Sequence, residues 1–531
     1  VAIIGAGASG MTAAISCARY FLRYHTDKKA NIIILERHAK SGRKLLATGN
    51  GRCNLSNENI NSETLDRYFH SSQPEFYQKI LSKFTVADTI EYFESMGIIS
   101  TTLEDGKIYP YCKQAFSVVD ALGNEMRELG VKVMHSCEVG SISKVSPYNS
   151  LIKNERPNTP VLKSESKNQK IEKLNSKIEK SNTNSEKTNS NIENVDFSYN
   201  NINSDEYLFE ITYNDLQDRE NPKLHTIHAK MVIVSAGGKA SPSLSSDGLG
   251  YALLGSLGHS TTPLHPSIVQ LKTVKDINAG LDGLKWDVKI SLIQEVAENA
   301  SRALKHDTPL MAIVKEETGE LLFTDYGISG PVVLQLARHA CAIDESKFYA
   351  LIDFLPEYSV EEILELLKKR IKSMGNRSIR RLLVGVLPFK LALAITDKIF
   401  KDKSEKPIRG ITSQDLASLI TKIKGYPFKI TGTLGWDNAQ VTAGGISCNE
   451  VDTETCESLL CKNLYITGEV LDVDGDCGGY NLQFAWASGY IAGESAARAI
   501  CIKMNTASSS DNDWKFNKII DSDSKLIGEQ Q

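Results

Sequence analysis

Val1-Ala2-Ile3-Ile4-Gly5-Ala6-Gly7-Ala8-Ser9-Gly10 opens the chain and runs into a helix-compatible stretch from Met11 to Arg19. A second apolar run, Ile32-Ile33-Ile34-Leu35, follows and ends in Glu36. Strand, glycine turn, helix, strand and acid, in that order, form a βαβ dinucleotide-binding unit. Gly5 permits the tight turn, Gly7 lets backbone approach a pyrophosphate, and Gly10 lets helix and strand pack closely. Ala8 and Ser9 begin the helix, whose free N–H groups and dipole favour an anion. Glu36 can accept from both hydroxyls of an adenosine ribose and would repel a 2′-phosphate; Arg37 follows it in the same set of cofactor-binding candidates. An α/β architecture around a bound dinucleotide is the expectation that every other segment must fit.

The chain has 531 residues, a length that suits about three to four domains of ~150 residues. With 61 basic and 65 acidic residues the net charge is −4, so no whole-chain field points to nucleic acid or anionic lipid, and neither partner is expected. Ten cysteines are scattered without a CxxC pair, which fits a reducing compartment and neither a disulfide framework nor a zinc site. No apolar run approaches the ~18–20 residues that span a bilayer. With the first strand at Val1, no targeting segment is expected, and the protein reads as cytoplasmic and free of metal.

From residue 146 to 205 the chain is dominated by Asn, Ser, Lys and Glu, and such a segment cannot bury enough apolar surface to offset its ordering entropy. Strand-like flanks, Val131 to Val139 before and Tyr207 to Thr212 after, make it a long disordered hairpin loop within a β-meander. Met231 to Gly238 reads as a buried parallel strand ending in small residues, with Gly237 at its tip. Strand-like runs (Asp287 to Ile290, Leu310 to Val314) then give way to helical patterns between Ser359 and Lys424. Ser359 and Glu362 form a capping box, and Arg380 to Phe400 and Gln414 to Ile423 are two further helical stretches around Pro388. Asn463 to Glu469 supplies another strand, and Gly478-Gly479-Tyr480-Asn481 leads into a long helix from Leu482 to about Met504. Its Ala and Gly residues at helical spacing should let it lie close against a sheet.

The domain expectation is a dinucleotide-binding domain in three parts (1–145, 206–263 and 431–504). It is interrupted by the disordered insert 146–205 and an inserted mixed β/helical domain over 264–430, and is followed by a flexible tail over 505–531.

Four segments together resemble the BaiN/HI0933-like flavoproteins, FAD-dependent NAD(P)/FAD oxidoreductases of the two-dinucleotide-binding fold. They are Gly5 to Gly10 with Glu36, Gly42 to Asn54, Gly319 to Pro331, and Gly468 to Gly475 continuing through Gly478 to Leu482. The resemblance covers nearly the whole chain except the 146–205 insert and the tail. It implies a Rossmann-like FAD domain roofed by the inserted domain. It also implies hydride transfer between flavin and a small organic substrate, of the enone-reductase or amine-oxidase type. A reductase using NAD(P)H and an oxidase using oxygen both stay open, and since no second glycine fingerprint follows Tyr207, any NAD(P)H would visit the substrate cavity transiently.

A flavin needs donors near N1 and O2 to hold the charge that accumulates on reduction. The helix that starts near Gly479, Tyr480, Asn481 and Leu482 can supply backbone N–H groups and a positive dipole end, and Gly468-Glu469 suits the ribityl and pyrophosphate region. The loop from Ala47 to Asn54 should expose backbone to a ligand. Arg43 and Lys44 are candidates to neutralise adenylate phosphates, while Asn50, Gly51, Arg52, Cys53 and Asn54 should lie along the isoalloxazine. Tyr109 and Tyr480 are catalytic candidates as proton donors, with packing against a flavin or a core as the alternative role for each. Cys53 and Cys477 lack resolving partners nearby, and His259 and His265 flank Pro263. Two alternatives remain: an NAD-dependent dehydrogenase without flavin, and a non-catalytic flavin-binding or RNA-associated protein.

Overall fold

The N-terminal apolar runs are short because each is a strand buried on both faces. In the computed structural model, which describes residues 1–24, 31–145, 207–218, 220–244, 246–295, 311–341 and 348–508, Ala2–Ile4 lies at the centre of a five-stranded parallel sheet. Val232–Val234 and then Leu464–Ile466 lie on one side of it, and Ile33–Leu35 and then Lys132–Met134 on the other. The register is set by Ala2 beside both Val232 and Ile33. Four of these strands, including the edge strand Leu464–Ile466, are wholly buried, and the opposite edge strand, with Lys132, is partly exposed. Continuous apolar composition where both faces are covered, and mixed composition where one is open, is what burial demands.

Helix Ala8–Tyr24 follows the glycine turn. Against it lies the long C-terminal helix, Tyr480–Ser508. The expected close packing of that helix on a sheet is corrected: its small residues let it cross the N-terminal helix instead. A Cβ on Gly489 would sit 2.3 Å from the Ser9 carbonyl oxygen, and one on Gly493 would sit 2.1 Å from that of Ala13. Backbone meets backbone at this crossing, and no side chain fits between. The helix also runs beyond Met504 into the expected tail, and residues 509–531 lie outside the described residues.

Cys137–Val145, Leu208–Asp215 and Lys223–Ala229 form an antiparallel meander. The first two strands pair as far as Val145 opposite Leu208. Residues 146–206, where the disordered insert is expected, lie outside the described residues.

The middle of the chain closes six strands into a barrel. In barrel order they are Leu271–Thr273, Gly327–Ser329, Met311–Phe323, Lys285–Glu295, Phe348–Asp353 and Tyr426–Thr433. Val288, Ile290, Leu321, Phe323 and Phe428 fill it and join Leu367, Leu391 and Ile395 of the neighbouring helices in a core distinct from the one around the parallel sheet. Strands His265–Ser267 and Val441–Ala443 pair beside it. Helix Val360–Met374 begins with the expected capping box: Glu362 N donates to Ser359 Oγ (3.1 Å) and Ser359 N to Glu362 Oε2 (2.8 Å). The helix expected from Arg380 to Phe400 is shorter, Phe389–Phe400, with Pro388 at its N-cap. Upstream, Ile379–Arg381 is only a 3₁₀ turn, because its backbone is bonded sideways: Ile379 N to Lys406 O and Arg380 N to Ser404 O.

Candidate functional site

The glycine turn separates three physical roles cleanly. Gly5 has φ +99°, and a Cβ on it would stand 2.5 Å from the Ser235 carbonyl oxygen. On Gly10 a Cβ would stand 2.0 Å from the Gly5 carbonyl oxygen, so helix and strand meet as expected. Gly7 differs: a Cβ there meets nothing within 4 Å, and its φ is not left-handed. Neither packing nor backbone conformation requires glycine at Gly7, which leaves close approach by something outside the chain. The turn faces the start of helix Ala8–Tyr24, and Ser9 Oγ lies where a Cβ on Gly468 (φ +73°) would be, 2.5 Å away. Glu36, buried, accepts from Ala6 N through Oε2 (2.8 Å) and from His38 N through Oε1 (2.9 Å). Each oxygen keeps a second acceptor site, enough for two ribose hydroxyls.

The second half of the site is the loop Thr48 to Asn54. Gly49 (φ +55°), Asn50 (φ +55°), Gly51 (φ +82°) and Cys53 (φ +59°) are all left-handed. Two of these are not glycine, and such strain concentrates at functional sites. Asn54 follows, buried, and its Oδ1 has no hydrogen-bond partner among the described residues. Facing it is Gly479 (φ +101°), where a Cβ would stand 3.0 Å from Asn54 Oδ1 and 2.3 Å from the Ser56 carbonyl oxygen. The start of helix Tyr480–Ser508 is thus pressed onto the strained loop. An unsatisfied buried acceptor is costly, and the N–H edge of a flavin would satisfy this one. The residues present fit the group.

The other candidates have more definite partners inside the protein. Lys44 Nζ pairs with Glu469 Oε2 at 2.6 Å, and Glu469 Oε1 accepts from Thr442 N at 2.9 Å. Arg43 meets His38 Nδ1 at 2.8 Å, and Arg37 pairs with Asp247 and Glu138. Gly237, left-handed, lies against Ser246 Oγ. Arg52 donates to the Gly49 carbonyl (3.0 Å) and lies 5.1 Å over the ring of buried Tyr109, whose hydroxyl pKa is raised by burial. Tyr480 stacks on Tyr68 (4.6 Å) and meets Phe69 edge-on, so its ring packs the helix start. Asn481 spends its amide on the preceding turn, accepting from Gly475 N (2.9 Å) and donating to Gly475 O (2.6 Å), which leaves backbone groups near Leu482 to face a ligand. Burial pushes the Cys53 thiol up to about 12 and raises that of Cys477, which disfavours either thiolate. His259 is enclosed between Glu450 (3.1 Å) and Ser458 (2.8 Å), and His265 lies in a strand.

Residues from the barrel side complete the site, and the sequence did not announce them. Helix Pro331–Cys341 grips the turn ahead of the C-terminal helix. Gln335 accepts from Cys477 N (2.8 Å) and donates to Cys477 O (3.0 Å), and Arg338 holds Asp474. His70 Nε2 meets Asp476 Oδ1 at 3.1 Å, with the ring of His339 5.7 Å away. Asp472, Asp474 and Asp476 occupy alternate positions and are taken up by Ser72, Arg338 and His70 respectively. No group of His, Cys, Asp and Glu among the described residues could hold a metal, and no described helix is long and apolar enough to cross a membrane.

The sequence matches the family described as HI0933-like protein Rossmann domain over residues 1–166 and 163–495. It is 33% identical over 499 residues to a 3-dehydro-bile acid delta(4,6)-reductase of Clostridium scindens, covering 94% of this chain and 98% of that protein. A ribosomal RNA dihydrouridine synthase of Haemophilus influenzae is 26% identical over 501 residues, covering 93% and 98%. Among solved structures, a quinol fumarate reductase of E. coli covers 99% of this chain and 73% of its own, at 15% identity and a TM-score of 0.41.

Proposed function

This chain belongs to the HI0933-like Rossmann-domain family and is an FAD-dependent oxidoreductase; from that premise we propose that it saturates a carbon–carbon double bond conjugated to a carbonyl. The observation that carries this is chemical. Two full-length relatives with unlike substrates, a 3-oxo bile acid and a uridine, are named for the same change, loss of a double bond next to a carbonyl. Such a reduction adds hydride at the β-carbon and a proton at the α-carbon.

FAD, when bound, supplies the hydride at N5. The chain's own residues hold, orient and protonate. Gly5, Gly7, Gly10 and the first turn of helix Ala8–Tyr24 would receive the pyrophosphate, and Glu36 the adenosine ribose. Asn54, the backbone from Gly479 to Leu482 and the loop Asn50 to Cys53 would hold the ring. Tyr109 stays protonated at neutral pH, since burial raises its pKa, and is the candidate proton donor. Arg52 over its ring would stabilise the phenolate left behind. NAD(P)H would enter the same cavity to recharge the site, because the sequence carries a single glycine fingerprint. The inserted barrel, spanning about 264–430, would close over the substrate.

The test is anaerobic mixing of the yellow holoprotein with NADH or NADPH, then with a 4-ene-3-oxo steroid, a uridine-containing RNA, or a primary amine. Bleaching by nicotinamide and recolouring by one of the conjugated carbonyls is expected. Bleaching by the amine instead would make the protein an amine oxidase and overturn the proposal.

A further inference from the structure

We propose that residues 375–410 of the inserted unit form a docking surface for the phosphate backbone of RNA. Positions 368–409 hold 13 of the chain's 61 Lys and Arg but only 3 of its 65 Asp and Glu. The rest of the molecule is therefore acidic, whereas this stretch is strongly cationic.

The fold gathers that charge in space. Segments 375–381 and 404–410 run antiparallel and are zipped by backbone bonds: Ile379 N to Lys406 O (2.9 Å), Ile408 N to Arg377 O (2.8 Å), Arg409 N to Gly375 O (3.1 Å). Arg377 and Arg381 on one segment thus stand beside Lys406 and Arg409 on the other. All four are exposed and make no ion pair among the described residues. Their neighbours are already matched: Arg380 with Asp397 (3.0 Å), Lys403 with Asp415 (3.7 Å). Lys406 and Arg409 also line a surface hollow together with the Lys403–Asp415 pair. Because the zipping uses only backbone groups, the side chains are not needed to hold the fold, and four like charges side by side cost stability unless an anion offsets them.

A lipid surface fits less well. Membrane-surface helices turn a continuous apolar face outward, whereas the flanking helices turn theirs to the core through Ile363, Leu367, Leu391 and Ile395 and expose only their first residues, Val360 and Phe389, among large apolar side chains. An RNA backbone needs only spaced cations, with arginine forks on phosphate oxygens. The choice of RNA rests on the reductase proposal above, since the uracil ring carries a double bond conjugated to a carbonyl.

Fluorescence anisotropy of the FAD-loaded protein with a labelled uridine-containing stem-loop RNA, over a salt series, tests this. Binding should weaken with salt at a log–log slope of about −3 to −4, as four phosphate contacts require. Arg377→Gln, Arg381→Gln, Lys406→Gln and Arg409→Gln combined should lower affinity at least tenfold and flatten the slope, with flavin content unchanged. Single Arg377→Gln and Arg409→Gln variants should each show part of the loss. No RNA binding, wild-type binding by the combined variant, or capture by phosphatidylserine vesicles in place of RNA would overturn the proposal. The reductase proposal is read separately: a protein that docks RNA yet saturates no conjugated double bond keeps the surface and loses the chemistry.

Discussion

Arg338 and Asp474 form a two-pronged ion pair across the meeting of barrel and parallel-sheet unit, with Nε 2.7 Å from Oδ2 and Nη2 3.0 Å from Oδ1. The Asp474 side chain is fully enclosed, and burial pushes its pKa up against the pull of the guanidinium. One turn earlier on the same helix, Gln335 holds both backbone groups of Cys477. The turn that carries Gly479 is therefore positioned from the barrel side, which couples the proposed substrate roof to the proposed flavin site.

Removing the guanidinium strands a buried carboxylate. Arg338→Ala should destabilise the protein by about 3–5 kcal/mol, the usual cost of breaking one side of a buried pair. Arg338→Lys keeps the charge but not the fork, and should recover part of that while still loosening FAD. Chemical denaturation and FAD titration of both variants check it. Equal stability of Arg338→Ala and wild type would show that the pair contributes nothing net.

The two ends of the glycine turn should fail differently. Gly10→Ala places a Cβ 2.0 Å from a backbone oxygen and should prevent folding of the βαβ unit. Gly7→Val enters open space and should fold, with a melting temperature near that of the wild-type apoprotein, yet bind no FAD. Circular dichroism and flavin release on denaturation separate the two. A yellow Gly7→Val protein would mean that no ligand approaches the turn there.

Much of this was legible because burial on both faces writes parallel strands as unbroken apolar runs, as at Ile32 to Leu35 and Met231 to Val234. The loop at Gly49 to Cys53 was legible because left-handed backbone selects glycine and asparagine. Arg338 with Asp474 was not, since the two are 136 positions apart and neither is unusual in its local segment. Nor was the break before Pro388, where bonds from Ile379 and Arg380 to a distant segment outcompete local helix propensity. The Gly489 and Gly493 crossing was half legible: small residues foretold close approach, but not that the neighbour would be a helix.

His339 should make stability depend on pH. Burial first, then the charges of His70, Arg338 and Lys315, lowers its pKa from the ordinary 6.5 to about 4. Between those values the unfolded chain takes up a proton that the folded chain refuses, so stability falls as pH drops from 6.5 toward 4. The full shift would be worth about 3 kcal/mol, and solvent screening of a partly exposed ring should reduce this to about 1–2 kcal/mol. Asp474, with its raised pKa, works in the opposite sense but is common to wild type and His339→Gln, so their difference isolates the histidine. Urea denaturation at pH 7, 6, 5 and 4 should show the two curves diverging below 6.5; parallel curves would remove the histidine from the account.

Asn54 offers the sharpest test of where the flavin ring lies, because its two states should respond in opposite directions. In the protein alone, Oδ1 is buried without a partner, and such an atom costs about 1–3 kcal/mol. Asn54→Leu, of similar volume, removes that cost and should leave the FAD-free protein at least as stable as wild type. With FAD bound, the same substitution deletes an acceptor for a ring N–H, worth about 1 kcal/mol net. FAD affinity should then fall roughly five- to tenfold, and the rate of flavin reduction by NAD(P)H should change, while the adenylate half stays gripped at Gly7 and Glu36. Melting curves with and without FAD, with stopped-flow reduction, measure all three effects on one variant. If Asn54→Leu binds FAD and is reduced as wild type, the ring does not reach the Thr48 to Asn54 loop. The active site would then have to be sought on the other side of the Gly479 turn.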